Sequence, residues 1–449
     1  MSLRSCQRLI GYRNIFRHLA KRYCLTDYIY RAASTFKCRT VCYDTSNDRK
    51  DGRSMLYRHL YSRILAGGAI TVAEYMREVL TYPKAGYYMN RDVFGADGDF
   101  TTSPEISQLF GEMIAVWSVN EWRKISNHPI QLVELGPGRG TMSKDMLRVG
   151  KETYQATVSL HLVEVSPNLS ALQAKNLCKV FEDNDPNDVS HKDKIQSYYR
   201  KGKTECGVEV FWYRSVHDVP PSFSIIIAQE FFDAMPIHKF QKTKNGWREV
   251  LIDIDPASGE DEKFRYVLSR SATPGSKLYI REDEGREHVE TSPQSALIID
   301  YLAKFLVENG GFALVADYGH DGDQTDTFRA YRRHRQQDPL VRPGSADLTA
   351  DVDFSFLKRI ACQDDRLISF GPVSQKYFLK QLGIDARLMT LLRNAPDTRC
   401  KEDIVSGYRM ITDEENMGIC FKFLSLFPAS LKDHLNRWPV AGFQTIPAQ

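Results

Sequence analysis

The stretch Leu132-Val133-Glu134-Leu135-Gly136-Pro137-Gly138-Arg139-Gly140-Thr141 puts a carboxylate at the end of an apolar run and glycines at alternate positions after it. Glycines in such a turn permit positive φ and let a ligand lie against bare main chain. The spacing is G-x-G-x-G, and no Lys-Ser/Thr pair follows, which excludes a triphosphate-binding P-loop. A second carboxylate, Glu164, ends the run His161-Leu162-Val163 and stands 24 residues after Gly140. In a doubly wound sheet an acid at that place accepts hydrogen bonds from ribose hydroxyls. NAD and S-adenosylmethionine both carry that ribose. Glu134 beside the loop would repel a pyrophosphate and attract a sulfonium or an ammonium. The pattern therefore selects S-adenosylmethionine, with Glu134, Gly136, Pro137, Gly138, Gly140 and Glu164 as its candidate contacts.

A further polar cluster ends an apolar run at Ile225-Ile226-Ile227-Ala228-Gln229-Glu230-Phe231-Phe232-Asp233-Ala234-Met235-Pro236. Methyl transfer from a sulfonium is an in-line displacement. It needs a nucleophile held at the correct angle and an acceptor for its proton. Glu230 and Asp233 face one pocket if the segment turns helically. Two carboxylates suit a guanidinium, which they can hold bidentately. Phe231 and Phe232 could exclude water. The plainer alternative makes Phe232 core and one of the acids a helix-start residue.

These residues need a sheet to position them. Apolar runs at Gln131–Leu135, Val158–Val165, Val208–Tyr213, Ser224–Ala228 and Phe312–Asp317 alternate with helical patterns. That is an α/β chain with a mainly parallel sheet. Leu367–Phe370 and Ile419–Leu424 offer edge strands. Lys239 to Ile280 reads as an inserted antiparallel β element. Ser292-Pro293 starts, and Gly310-Gly311 stops, a helix lined by Ala296, Leu297, Ile299, Leu302 and Leu306. Thr102 and Glu105 form a capping-box pattern ahead of Ile106, Leu109, Phe110, Met113, Ile114 and Trp117. Asp317-Tyr318-Gly319-His320 falls at a strand end, where His320 is either a proton shuttle or a plain loop histidine. Asp321 to Asp353 is a long polar loop carrying Arg329, Arg332, Arg333 and Arg335; it reads as a protein-recognition lid or as a solvated helix at Thr327–Gln336.

The blocks also resemble the MidA-like methyltransferases, which include eukaryotic mitochondrial arginine methyltransferases needed for respiratory complex I assembly, with bacterial relatives. The resemblance runs from about Leu60 onward. It rests on Gly98-Asp99-Phe100-Thr101-Thr102-Ser103-Pro104-Glu105, Phe110-Gly111-Glu112, the glycine block, Val163 to Pro167, Glu230 to Pro236, Asp317-Tyr318-Gly319, and Gly344 to Phe354. It implies a class I, Rossmann-like S-adenosylmethionine-dependent fold and symmetric dimethylation of arginine on a complex I subunit in the matrix. Gln229 departs from the Asn or His of many relatives; an amide there could contact cofactor or substrate.

The 449-residue chain is 42% apolar, 26% charged and carries a net charge of +3, an ordinary globular balance without the broad basic face of a nucleic-acid binder. No apolar run approaches the roughly 18 residues of a membrane span. The nine cysteines show neither a zinc-ligand spacing nor a disulfide framework. Residues 1–43 are Arg-rich with Asp27 as their single acid, the pattern of a mitochondrial targeting segment. The expected organisation is this segment, an N-terminal helical region over 44–130, and a methyltransferase domain over 131–449. That domain includes the β insertion at about 239–290 and a substrate loop at about 321–353. An RNA methyltransferase, a non-catalytic assembly chaperone and an NAD oxidoreductase remain as alternatives. Nothing in the residues fixes an oligomeric state.

Overall fold

The computed structural model describes residues 54–89, 101–154, 158–183, 197–257 and 262–444. The targeting segment 1–43 and the Gly98 to Phe100 part of the family block lie outside the described residues. Seven strands form the body of a ten-stranded main sheet: β1 (Ile130–Leu135), β2 (Val158–Val163), β3 (Glu209–Tyr213), β4 (Ser224–Gln229), β5 (Gly311–His320), β6 (Leu367–Ser374) and β7 (Phe421–Pro428). Their order is β6-β7-β5-β4-β1-β2-β3, and a hairpin of Val180–Asp183 and Arg200–Lys203 extends the sheet beyond β3. Strands β3, β2, β1, β4 and β5 run parallel, while β7 is antiparallel to both of its neighbours. The direction of winding reverses between β1 and β4. That switch point opens a crevice at the carboxyl ends of those strands.

Every residue of β1 and of β4 is buried, as expected of parallel strands covered on both faces. Alternation assigns the faces. Ile225 and Ile227 share one apolar cluster with Trp117 and Phe110 of helix α1 (Gln108–Ile125). Helices α2 (Thr141–Tyr154) and α3 (Pro167–Leu177) follow β1 and β2 and contribute Met142, Met146 and Leu177 to that cluster. Ile226 and Ala228 face the opposite cluster with Ile299, Leu302 and Leu306 of α4 (Pro293–Asn309). Ser292 caps α4 by accepting from Ser295 N, and Gly310 ends it at φ 79°. Each fully buried Ile or Leu on α4 contributes about 1.5–3 kcal/mol of burial.

The insertion is an antiparallel sheet of His238–Thr243, Gly246–Ile254, Phe264–Leu268 and His288–Thr291, joined by Ile70–Thr71 from far upstream. Its core unites Leu60 and Tyr75 of the N-terminal helices Met55–Gly67 and Val72–Thr81 with Ile252, Phe264, Ala330 and Leu348. The early helices thus pack on the insertion and the 321–353 segment, whereas α1 packs on the main sheet.

Four expectations are corrected. Thr102 makes no side-chain cap: Ser103–Ile106 is a single turn, and extended Ser107 (φ −153°, ψ 126°) separates it from α1. The N–H of Ser103 donates instead to the Glu230 carboxylate (3.1 Å), so a distant residue satisfies a donor left open at the helix start. Thr327–Gln336 is not helical. Arg329–Arg332 pairs with Arg335–Gln337 and with Asp347–Thr349 in a small sheet, burying Phe328, Ala330, Leu348 and Ala350 at two-residue spacing. Strands of three or four residues show too few positions for that period to be legible. Ile419 lies in a helical turn, Met417–Cys420, and β7 begins at Phe421. Of these two expected edge strands only β6 lies at an edge, since β7 lies between β5 and β6.

Candidate active site

The glycine block leaves the end of β1 in the crevice. Gly136, Gly138 and Gly140 take φ of 64°, 55° and 79°. A Cβ on Gly136 would stand 3.0 Å from the Phe231 ring, and one on Gly140 would stand 3.0 Å from Leu177. Side chains are excluded there by backbone conformation and by space. Pro137 forms the turn's corner, its carbonyl accepting from Gly140 N at 2.7 Å. The loop carbonyl of Gly138 accepts from Gln173 Nε2 at 2.7 Å.

Glu134 and Glu164 are 4% and 6% exposed. Each is held by a side chain nine residues downstream, on the helix that follows its strand. Ser143 of α2 donates its hydroxyl to Glu134, and Gln173 of α3 donates to Glu164 Oε2 at 3.1 Å. Ser166 N also donates to Glu164 at 2.7 Å. Burial pushes both carboxyls up to about 7, against the opposing pull of these donors. A stretch of open main chain between two desolvated carboxyls suits a ligand bearing positive charge and hydroxyl donors.

Beyond β4 the chain makes a fixed turn. Gln229 is the last residue of the strand, and its amide donates to Glu230. Glu230 holds φ 47°. That conformation costs an ordinary residue about 1–3 kcal/mol and persists only where the surroundings dictate it. They do so here: Glu230 N donates to Ala316 O on β5 at 2.9 Å, and its carboxylate accepts from Ser103 N. The turn is organised by Asp317 of β5, fully buried, whose Oδ2 accepts from the N–H groups of Phe231, Phe232 and Asp233 at 3.1, 2.9 and 3.3 Å. Asp233 accepts from Thr349 Oγ1 at 3.0 Å, and its carbonyl accepts from Ala350 N at 3.1 Å. The pair is thus clamped between the sheet and the 321–353 segment.

The two acids sit in unlike environments. Burial, then the nearby Asp233 carboxylate, pushes Glu230 up to about 8. Burial raises Asp233 to about 6, moderated by the Thr349 hydroxyl and the Arg329 guanidinium. Burial and both neighbouring acids drive Asp317 well above the carboxylate range. Until a cation arrives both carboxyls hold a proton more tightly than ordinary side-chain acids, Glu230 the more so. Phe232 is core, as the plainer alternative had it, at 3% exposure. Phe231 lies against Gly136, linking the glycine loop to the carboxylate turn. His320 is the buried last residue of β5, and its Nδ1 accepts main-chain N–H groups of Gly322 and Gln324.

The structure thus brings Gln229, Glu230 and Asp233 together on one turn, beside the loop of Gly136, Pro137, Gly138 and Gly140. Glu134 and Glu164 are anchored from the helices behind. Ser143 and Gln173 were not singled out from the sequence; Ser103, Asp317 and Thr349 stood in the family blocks, with Thr101 to Ser103 expected to border the cofactor and Asp317 at a strand end, but none was expected to bond the carboxylate turn. Ser143 and Gln173 carried a signal in their equal offset from the two acids; Ser103, Asp317 and Thr349 meet the site only through tertiary contact.

The comparisons with known proteins agree on the class. The profile of a family described as putative S-adenosyl-L-methionine-dependent methyltransferase matches residues 113–373. Among similar proteins, one of Drosophila melanogaster named protein arginine methyltransferase NDUFAF7 homolog, mitochondrial, is 49% identical, covering 89% of this chain and 91% of its own. The Homo sapiens protein named protein arginine methyltransferase NDUFAF7, mitochondrial, is 46% identical over 89% and 90%. A Burkholderia thailandensis protein described as a candidate methyl transferase, crystallised with S-adenosyl-homocysteine, superposes with a TM-score of 0.66 at 25% identity, covering 83% of this chain and 92% of its own. The cofactor is accordingly S-adenosyl-L-methionine. The chain belongs to the S-adenosyl-L-methionine-dependent methyltransferase family in which the mitochondrial proteins named NDUFAF7 stand.

Proposed function

We propose that this protein is an arginine N-methyltransferase that forms symmetric dimethylarginine on a respiratory complex I subunit in the mitochondrial matrix. One observation carries the reading: two partly buried carboxylates, Glu230 and Asp233, are held on a conformationally locked turn at the switch point, beside a glycine loop suited to a sulfonium cofactor. The relatives' names support the substrate class and the compartment. Residues 1–43 are assigned to import and the 321–353 segment to substrate recognition. Glu134 and the loop of Gly136, Pro137, Gly138 and Gly140 are assigned to the amino-acid end of the cofactor, Glu164 to its ribose, and Gln229 to the boundary between cofactor and substrate.

When bound, the cofactor supplies an electrophilic methyl group on a sulfonium. Asp233, ionised first, draws the substrate guanidinium in. The positive charge of the guanidinium lowers the proton affinity of Glu230, which then ionises and completes a two-carboxylate clamp. The clamp localises positive charge on the bound nitrogens and leaves the remaining nitrogen richer in electrons. That nitrogen attacks the methyl carbon as the carbon–sulfur bond breaks, giving S-adenosyl-homocysteine. Glu230, ionised within the clamp, accepts the proton shed by the methylated nitrogen. Phe231, packed on Gly136, limits water at the junction.

The reading is tested by incubating the mature protein with S-adenosyl-L-methionine and mitochondrial protein from cells lacking the enzyme. Mass spectrometry should find symmetric dimethylarginine on a complex I subunit. Methyl groups appearing only on lysine, on RNA or on nothing would end the proposal.

A further inference from the structure

The small sheet that supplies Thr349 to Asp233 ends in a basic tip. Arg329–Arg332 turns into Arg335–Gln337 with Arg332 opposite Arg335, so Arg333 and His334 form a two-residue turn. Both take positive φ, 48° and 58°. Asn-Gly is the favoured pair for such a turn; here the positions hold large cationic or titratable side chains. Arg333, His334 and Arg335 are exposed, and an open concavity of about 540 Å³ is lined by Arg332, Arg333, Arg335 and Gln337. The acids nearest in the chain are committed elsewhere. Asp338 pairs with Lys263 at 3.3 Å, Asp347 accepts from the Tyr88 hydroxyl at 2.7 Å, and Asp351 pairs with Arg329 at 2.6 Å. Among the described residues Arg332 and Arg335 make no ion pair.

The base of this hairpin is fixed to the carboxylate site. Arg329 lies opposite Thr349, which donates to Asp233. Arg332 is three residues further along the strand, on the order of 10 Å away at the rise of an extended chain. We propose that the Arg332–Arg335 tip docks an acidic stretch of the protein substrate, lying about three or four residues from the arginine that enters between Glu230 and Asp233. This rests on the arginine reading above. It adds a selection that the carboxylate pair cannot make. The pair attracts any cation, whereas the tip repels arginines with basic neighbours and retains those with acidic ones.

The test uses two arginine-centred peptides, one with glutamates three and four residues from the arginine, the other with glutamines. The expected ratio of kcat/KM, acidic over neutral, is on the order of ten, carried by KM and shrinking with added salt. In the Arg332→Glu/Arg335→Glu protein, with its circular dichroism unchanged, that ratio should fall below one, and a lysine-flanked peptide should become the better substrate. A milder Arg332→Gln/Arg335→Gln protein should bring the ratio near one. A parent ratio of one, or a ratio untouched by these changes, overturns the proposal. Separately, fluorescence anisotropy of a labelled glutamate-rich peptide without arginine reads the surface alone. Binding weakened by the double variant supports the proposal; absent binding, or tighter binding of a single-stranded oligonucleotide at the same tip, overturns it. Failure of the parent to methylate either peptide counts against the arginine reading, and the anisotropy result then decides for the tip.

Discussion

At the scale of single residues, Glu230 concentrates the chemistry. Its left-handed backbone, its bonds to Ser103 and Gln229 and its high proton affinity serve one carboxyl at one place. Glu230→Gln keeps the shape and removes the charge and the base. Turnover on an arginine peptide should fall about a hundredfold or more, while calorimetry of S-adenosyl-homocysteine shows nearly unchanged affinity; equal turnover would remove Glu230 from the mechanism. The pH profile carries the same signature. Reaching the clamped complex from the free enzyme requires both acids to lose their protons, and Glu230 gives up its own last, at about 8. Thus kcat/KM should climb as pH rises toward about 8 and then level. A profile flat from pH 6 to roughly 9 would contradict that order of ionisation. The acids and glycines were legible from the sequence because their types are chemically narrow and their spacing from strand ends is short. The bond from Ser103 to Glu230 was not: it is made by a main-chain N–H, which every residue but proline owns.

At the scale of elements, each strand–loop–helix unit braces its own carboxylate. Gln173 does most, bonding both the Gly138 carbonyl and Glu164 and accepting from the Trp212 indole at 2.9 Å. Gln173→Ala should weaken cofactor binding by about 1–3 kcal/mol, since it leaves a buried carboxyl and a loop carbonyl short of donors. Calorimetry measures this, and an unchanged Kd would show that α3 does not order the loop. Gly138→Val is expected to abolish cofactor binding, because φ 55° is closed to a β-branched residue and its side chain would fill the ligand's approach. The central strands were legible as long apolar runs. The hairpin at Arg329–Gln337 was not, because polar residues fill its outward positions and each strand is a few residues long.

At the scale of the whole molecule, the crevice stores unfavourable burial. Glu134 and Glu164 ionise at about 7 when folded, against 4.5 for an ordinary glutamate. A raised folded value means the native state holds the proton more tightly than the unfolded chain. The corresponding stability is present below about pH 4.5 and is lost as pH rises through about 7. Each group accounts for about 3 kcal/mol. The melting temperature of the cofactor-free protein should therefore fall between roughly pH 5 and pH 8, and Glu164→Gln should flatten that slope. S-adenosyl-homocysteine, whose ribose hydroxyls would bond the ionised form, should stabilise more at the alkaline end. Equal melting shifts at both ends would argue against Glu164 as the ribose acceptor. Residue order alone determined the parallel sheet, the loop with its flanking acids and the carboxylate turn, because each is local: a hydrophobic period, a glycine spacing, a strand end. Tertiary structure alone decided that Ser103, Asp317 and Thr349 would converge on that turn, and that the earliest helices would share a core with segments about 200 or more residues away. Those contacts are set by which faces must leave water together, a condition on the whole chain rather than on any stretch of it.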